Sequence, residues 1–246
     1  MRRLSVDNIA IEFSGLSFFY GPQEVLTNVN LKIRKGEFVA ILGHNGAGKS
    51  TLMKLALGLL KADKGQVKIL GTDSKNFKKW EKVGYVQQTM EQFDFQFPAN
   101  VNEVVLMGRM SGKSGIMKRF DEQDHKIVED ALRIIGITNI KNKKIGALSG
   151  GQRQKVFLAK TIASQAEILF LDEPTTAMDH DSQHAFYDLL QKLNKELGIT
   201  IILITHDLGQ TLQHVKRVVV LNKKIVFEGE TSKFNKDMMW SITERI

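Results

Sequence analysis

The sequence predicts an α/β fold: a core built on a mostly parallel sheet, an N-terminal antiparallel β subdomain, and a helical subdomain inserted into the core. Three observations carry this. The apolar runs "FVAIL", "ILFL" and "TIILI" are short, uniformly hydrophobic and rich in branched residues, as strands buried on both faces are. A helical pattern follows each, "KSTLMKLALGLL", "HDSQHAFYDLLQKLNKEL" and "DLGQTLQHV" in turn, so strand, loop and helix recur as a unit. The start behaves differently: "IAIEFSGLSFFY" and "VNLKIRKGEFVA" alternate in polarity, as antiparallel strands do.

From Ala99 to Lys144 the pattern turns helical, with "VNEVVLMGRM" and "EQDHKIVEDALRIIG" separated by "SGKSGIMKRF". Residues 99–144 are therefore the expected insert, continuing into a helix from 148, and residues 1–98 and 145–246 the core and β subdomain of one domain. Near the end, "RVVVLNKKIVFEGE" reads as a hairpin turning at Asn222 and Lys223.

Composition narrows the function classes. The chain has 246 residues, 42% of them hydrophobic, enough for a substantial core. It has no apolar run of about eighteen residues, and "MRRLSVDNIA" lacks the apolar stretch of a secretory signal, so a cytosolic chain that does not itself span a membrane is expected. The absence of cysteine rules out disulfides and thiolate metal sites. A formal charge of +8, from 35 Lys and Arg against 27 Asp and Glu, asks for an anionic partner: nucleic acid, phospholipid head groups or nucleotide.

The motifs choose nucleotide. Gly43, Gly48, Lys49 and Ser50 of "GHNGAGKST" fill the pattern G-x-x-x-x-G-K-[ST] between a strand and a helix, which makes the core that of a P-loop NTPase. Glycines let backbone N–H groups curl around phosphate oxygens, Lys49 adds a mobile positive charge, and the Ser50 hydroxyl can ligate Mg²⁺. At the end of the strand in "ILFLDEP", Asp172 can hold Mg²⁺ through water, and Glu173 is the candidate general base; a solvated Asp-Glu pair before Pro174 is the bland alternative. His206 after "TIILIT" and Gln88 after "VGYVQ" stand at strand ends, where ligands of α/β sheets bind, and Tyr20 has a ring face that could stack on adenine. His180 and His184 lie four apart on a helix without a third ligand and read as solvated histidines.

A second phosphate-loop-like stretch needs a separate explanation. "LSGGQ", Leu148 to Gln152, puts Ser149 and two glycines at the start of a helix, where backbone N–H groups and the helix dipole favour an anion.

The order Tyr20, "GHNGAGKST", Gln88, "LSGGQ", "ILFLDE", Asp179, His206 resembles the nucleotide-binding subunits of ABC transporters, over essentially the whole chain. The resemblance implies that Tyr20 stacks adenine. Gly43, Asn45, Gly46, Ala47, Gly48, Lys49, Ser50 and Thr51 hold the phosphates of ATP, with Ser50, Gln88 and Asp172 around Mg²⁺. It also implies that Gln88 senses metal and attacking water, Glu173 acts as base and His206 fixes the γ-phosphate. Ser149, Gly150, Gly151, Gln152 and Asp179 complete the nucleotide site. Three positions depart from the family pattern: His44 stands where the family commonly has proline or another residue, Gln87 where proline usually precedes the loop glutamine, and "TAMD" replaces the usual "SALD". The doubled glutamine leaves Gln87 and Gln88 both open as the loop residue.

The second loop then has a use. A second copy related by a two-fold axis can present Ser149 and the Gly151 N–H to the γ-phosphate held by the first copy's P-loop, so two ATP would close a head-to-tail homodimer. The stroke would drive a membrane permease docked on the helical insert, served by an extracellular binding protein, with the chain peripheral at the cytoplasmic face and no nucleic acid partner. "FDFQFPANVNEVVLMGRM", Phe93 to Met110, resembles the same segment of bacterial zinc and manganese uptake ATPases. The plain alternative has Val101, Val104, Val105 and Met107 packing one helix face, with Arg109 solvated. An exporter subunit, an importer of another cargo and a soluble ABC protein acting on nucleic acid or ribosomes are the competing readings.

Overall fold

The computed structural model describes residues 8–87, 98–110, 119–176 and 178–234. In chain order the strands are β1 (Ile9–Tyr20), β2 (Gln23–Arg34), β3 (Phe38–Leu42), β4 (Lys64–Ile69), β5 (Thr72–Asp73), β6 (Val83–Val86), β7 (Ile168–Asp172), β8 (Thr200–Thr205), β9 (Arg217–Asn222) and β10 (Lys224–Glu230). The α-helices are α1 (Lys49–Ala56), α2 (Val101–Leu106), α3 (Glu122–Ile135), α4 (Gly150–Ala163), α5 (His180–Leu197) and α6 (Thr211–His214). Two compact units divide the chain: Met1–Lys78 with Leu190–Ile246, and Lys79–Leu189. No helix among the described residues is long and apolar enough to cross a membrane.

The first unit holds an antiparallel sheet in the order β2-β1-β4-β5. In it also, β3 lies between two parallel neighbours, β8 and β9, and β10 returns antiparallel to β9. Every residue of β3 and β8 is buried, which explains why their sequences do not alternate. The expected hairpin turn is present, with Lys223 in the left-handed region at φ 56°.

Three expectations for this unit are corrected. "VNLKIRKGEFVA" is two strands, not one: β2 stops at Arg34, Gly36 turns at φ 72°, and β3 starts at Phe38 among parallel strands. The helix expected over "KSTLMKLALGLL" ends at Ala56, because Gly58 adopts φ 68° and its N–H and that of Leu59 turn back to the carbonyls of Leu55 and Lys54. The helix after β8 shrinks to the four residues of α6. There the Thr205 hydroxyl accepts the Asp207 N–H at 3.0 Å and the Asp207 carboxylate accepts the Gly209 N–H at 2.8 Å, holding the intervening residues in a turn.

In the second unit β6 and β7 pair in parallel, Val83 opposite Ile168 through Val86 opposite Leu171. Helices α2, α3 and α4 pack together, each opened by a reciprocal capping box: Asn100 with Glu103, Asp121 with Asp124, and Ser149 with Gln152. On α3, Val128, Ala131, Leu132 and Ile135 are buried at the 3, 4, 7 spacing of one helical stripe, and Gly136 ends the helix at φ 76°. A Cβ on Gly84 would sit 1.9 Å from Thr161 Cγ2, so β6 lies directly against α4.

Arg109 is not solvated, as the plain alternative held. Its Nε donates to Asp124 Oδ1 at 3.0 Å and its Nη1 to the Ala163 carbonyl at 2.9 Å, tying the 3-10 turn Met107–Met110 to the start of α3 and the end of α4. A Cβ on the neighbouring Gly108 would approach the Lys160 carbonyl to 2.2 Å, so this segment also touches α4 through its backbone.

Candidate functional site

The phosphate loop lies in the first unit. β3, buried along its length, delivers the chain to Gly43, and α1 starts at Lys49. The turn between them uses two left-handed glycines, Gly46 at φ 85° and Gly48 at φ 95°, conformations that cost an L side chain about 1–2 kcal/mol. Gly48 is also the N-cap of α1, and a glycine there has no side chain with which to cap the helix start. The first turn carries no acidic residue, so the positive end of the helix dipole remains favourable to an anion. Lys49 is 6% exposed and its ammonium donates to the carbonyls of Gly43 at 2.6 Å and His44 at 3.0 Å, drawn into the loop's own curl. Thr51 is buried, whereas Ser50, Asn45 and Gly46 face solvent.

Two more sequence-derived candidates belong to this unit. Tyr20 closes β1, is 48% exposed, and meets the Phe18 ring edge to face at 4.9 Å. Asp63 accepts the Phe19 N–H at 2.8 Å, fixing the strand end that carries it. His206 is exposed directly after β8.

In the second unit β7 carries Asp172 at its last position, 9% exposed, with Glu173 following. Glu173 has φ 45°, a strained value for a residue with a Cβ, and its carbonyl accepts the Thr176 hydroxyl at 3.0 Å, which helps hold the turn. Because Val86 pairs with Leu171, the next residue, Gln87, comes level with Asp172. Tyr85 joins the same cluster. Burial, reinforced by the Asp172 carboxylate and opposed by a hydrogen bond with Gln87, pushes the Tyr85 phenol up to about 12, so it stays a neutral donor. Gln88 lies outside the described residues.

The "LSGGQ" stretch opens α4. Ser149 is the N-cap; its hydroxyl oxygen accepts the Gln152 N–H at 3.3 Å while Gln152 Oε1 accepts the Ser149 N–H at 3.2 Å. Gln152 therefore braces the helix start, and the Ser149 hydroxyl keeps its proton to donate. A Cβ on Gly151 would meet, among the described residues, only Met178 carbons at 3.8 Å and beyond, so no close packing demands glycine at this point of the helix start. Asp179 caps α5: its carboxylate accepts the N–H and hydroxyl of Ser182 at 2.9 and 2.7 Å. Those bonds hold its carboxyl below the usual carboxylate range. His180 and His184 are exposed, each near an acid of its own helix, Asp181 at 3.9 Å and Asp188 at 3.7 Å.

Sequence reasoning missed Tyr85 and the structural use of Asp179 and Arg109. Only Asp179 left a signal, an acid three residues before Ser182 at a helix start.

A strand-to-helix phosphate loop, an acid pair ending a buried strand and a glycine-rich helix start define a nucleotide-binding cassette. The family described as ABC transporter matches residues 26–176. The chain is 39% identical, over 92% of its length and 88% of the relative's, to the zinc uptake system ATP-binding protein ZurA of Listeria innocua. It is 37% identical, over 90% and 86%, to the manganese transport system ATP-binding protein MntB of Halalkalibacterium halodurans. Among solved structures, a putative metal-chelate type ABC transporter in an inward-facing conformation aligns with a TM-score of 0.83 at 30% identity, over 96% of this chain and 88% of that one. A dimeric bacterial ABC transporter cassette aligns at 0.74 and 30%, over 91% and 100%. The chain belongs to the ABC transporter family, as one of its ATP-hydrolysing subunits.

Proposed function

We propose that the chain powers an importer, closing as a head-to-tail homodimer on two ATP at the cytoplasmic face of the membrane and driving a permease that carries zinc or manganese. The observation that bears most weight is the pair of glycine-bearing helix starts, the Gly48 end of α1 with its left-handed loop glycines and the Ser149 end of α4. One ATP-binding chain has use for two such ends if each serves a different copy's nucleotide. The similarity to ZurA and MntB supports the cargo, and the alignment with a cassette dimer supports the assembly.

In this reading the α1 N–H groups and the Lys49 ammonium bind the β- and γ-phosphates, Tyr20 stacks on adenine, and Thr51 and Asn45 support the loop. The Ser50 hydroxyl and Asp172 carboxylate are hard oxygen donors of the kind Mg²⁺ takes, and Mg²⁺ there would neutralise phosphate charge. Glu173 accepts the proton of the attacking water, Gln87 or Gln88 orients that water, and His206 holds the γ-phosphate. Ser149 and Gly151 of a second copy donate to the same γ-phosphate, so its loss opens the dimer.

Reconstitution tests it. Purified with its permease in lipid vesicles, the subunit should hydrolyse ATP faster when the binding protein is loaded with zinc or manganese. Stimulation by another loaded cargo alone, with both metals ineffective, would reject the metal assignment.

A further inference from the structure

The phosphate loop is held by the turn of the β9–β10 hairpin, residue by residue. A Cβ on Gly43 would lie 2.4 Å from the Leu221 carbonyl, so the loop's first residue touches the hairpin backbone. The His44 ring meets Asn222 Oδ1 through Nε2 at 3.1 Å while Nδ1 bonds the Asn45 carbonyl at 2.6 Å. The Lys223 N–H donates to the Ala47 carbonyl at 3.0 Å. The turn is itself fixed to β2, because the Lys223 carbonyl accepts the Thr27 N–H at 2.8 Å. On its other flank, a Cβ on Gly48 would meet Leu26 Cδ2 at 2.7 Å, so β2 reaches the loop directly as well.

Leu221 and Lys223 make these contacts with backbone atoms, which almost any sequence would supply. The His44–Asn222 bond is the one made by two side chains, and both are choices of this chain. With Nδ1 donating to the Asn45 carbonyl, a neutral ring accepts at Nε2 from the Asn222 amide turned to present its NH₂; a charged ring donates to Oδ1 instead. Either way one hydrogen bond joins the loop to the hairpin, and the ring is half-buried, so water competes weakly.

We infer that His44 and Asn222 are positioning residues for nucleotide binding, together keeping the phosphate loop in its binding shape. Binding must otherwise bear the entropy of ordering a loop whose glycines occupy φ 85° and 95°. An anchor lying outside the loop lowers that cost before the phosphates arrive. It acts on affinity and leaves the chemical step alone, because both side chains bond the loop and the hairpin and neither is assigned a role in the reaction. The inference rests on Gly43–Thr51 being the phosphate loop, which Lys49→Ala tests separately.

The experiment measures Mg-ATP affinity and ATPase kinetics of the purified protein for His44→Ala, Asn222→Ala, the double variant and Asn222→Asp. Each single alanine variant should weaken ATP binding about five-fold and raise KM in step, with kcat within two-fold of the parent. The double variant should be no weaker than the singles, since both remove the same bond. Asn222→Asp, which offers a carboxylate oxygen to the imidazolium, should recover affinity to within two-fold. Multiplying losses in the double variant, unchanged affinity in the singles, or a fall in kcat with KM unchanged would each overturn it. Melting temperatures equal to the parent's separate the effect from general loss of fold. If Lys49→Ala binds ATP normally, it is the phosphate-loop reading that fails.

Discussion

Replacing Arg109 by alanine should destabilise the protein by about 3–4 kcal/mol, and the figure follows from what the side chain touches. Its partner Asp124 has a side chain only 3% exposed, and Arg109 itself is 19% exposed, so the pair sits out of water. Removing one member of such a pair costs about 3–5 kcal/mol, because the other charge stays buried. Here Asp124 keeps other partners, among them the Asp121 N–H, which donates to its Oδ2 at 3.1 Å, and these move the cost to the low end of that range. The Ala163 carbonyl at the end of α4 loses a charged donor at 2.9 Å, a further contribution of about 1 kcal/mol. In urea, with an m-value of about 3 kcal/mol/M, the midpoint should fall by about 1 M at unchanged slope. Trp80, in the same unit and 36% exposed, supplies a fluorescence readout. Arg109→Lys keeps an ion pair but loses the planar fork that serves two acceptors, and should cost about half as much. A midpoint within about 0.2 M of the parent for Arg109→Ala, at the same m-value, would show that the clamp is not holding these helices.

Glu173→Gln preserves size and hydrogen bonding but removes the base, so ATP should drive dimerisation on size-exclusion chromatography while turnover falls about 10²–10⁴-fold; a monomeric variant with normal turnover would exclude the role. Ser149→Arg and Lys49→Ala homodimers should both be inactive, whereas their mixture forms heterodimers with one intact composite site and regains turnover; normal activity in the Ser149→Arg homodimer sinks action in trans. The depressed carboxyl of Asp179 contributes stability that is present above its unfolded value of 3.8 and lost as pH falls through the lower folded value. Asp179→Asn caps comparably without titrating, so its acid unfolding should be shallower than the parent's, and identical acid limbs by circular dichroism would refute this. Gly84→Ala, whose Cβ would overlap Thr161 Cγ2 at 1.9 Å, should cost about 1–3 kcal/mol, with part recovered by Thr161→Ser; a neutral Gly84→Ala would mean that β6 can move off α4.

What was legible in the sequence followed the strength of the local rule. Strands β3, β7 and β8 could be read because burial on both faces leaves an unbroken apolar run, and α5 because eighteen residues keep one periodicity from His180 to Leu197. The helices whose ends were misjudged had weaker punctuation. Gly58 inside "LALGLL" stops α1 by its conformation alone, and Asp207 draws the residues after β8 into a turn that hydropathy does not register. The phosphate loop was legible because its chemistry demands fixed residues at fixed spacing, whereas Tyr85 was not. Its place beside Asp172 depends on β6 lying next to β7, and those strands are about eighty residues apart in the chain.

The segment Val101–Arg109 shows how a sequence resemblance and its physical cause can part. Its pattern V-x-E-V-V-x-x-G-R resembles that of zinc and manganese uptake subunits, yet each fixed position has an internal reason. Glu103 closes a capping box with Asn100, and Val101, Val104 and Val105 are buried. Gly108 makes room for the Lys160 carbonyl, and Arg109 holds Asp124 and the end of α4. Of these side chains the three valines are buried, and Glu103 and Arg109 are engaged in bonds within the chain. The remaining positions of the segment, Asn102, Leu106 and Met107, are half-buried, and the next residue, Met110, is 43% exposed. The fixed pattern is thus accounted for by packing and capping inside the chain, so substitutions at Val104, Gly108 or Arg109 should lower stability whatever partner the chain serves.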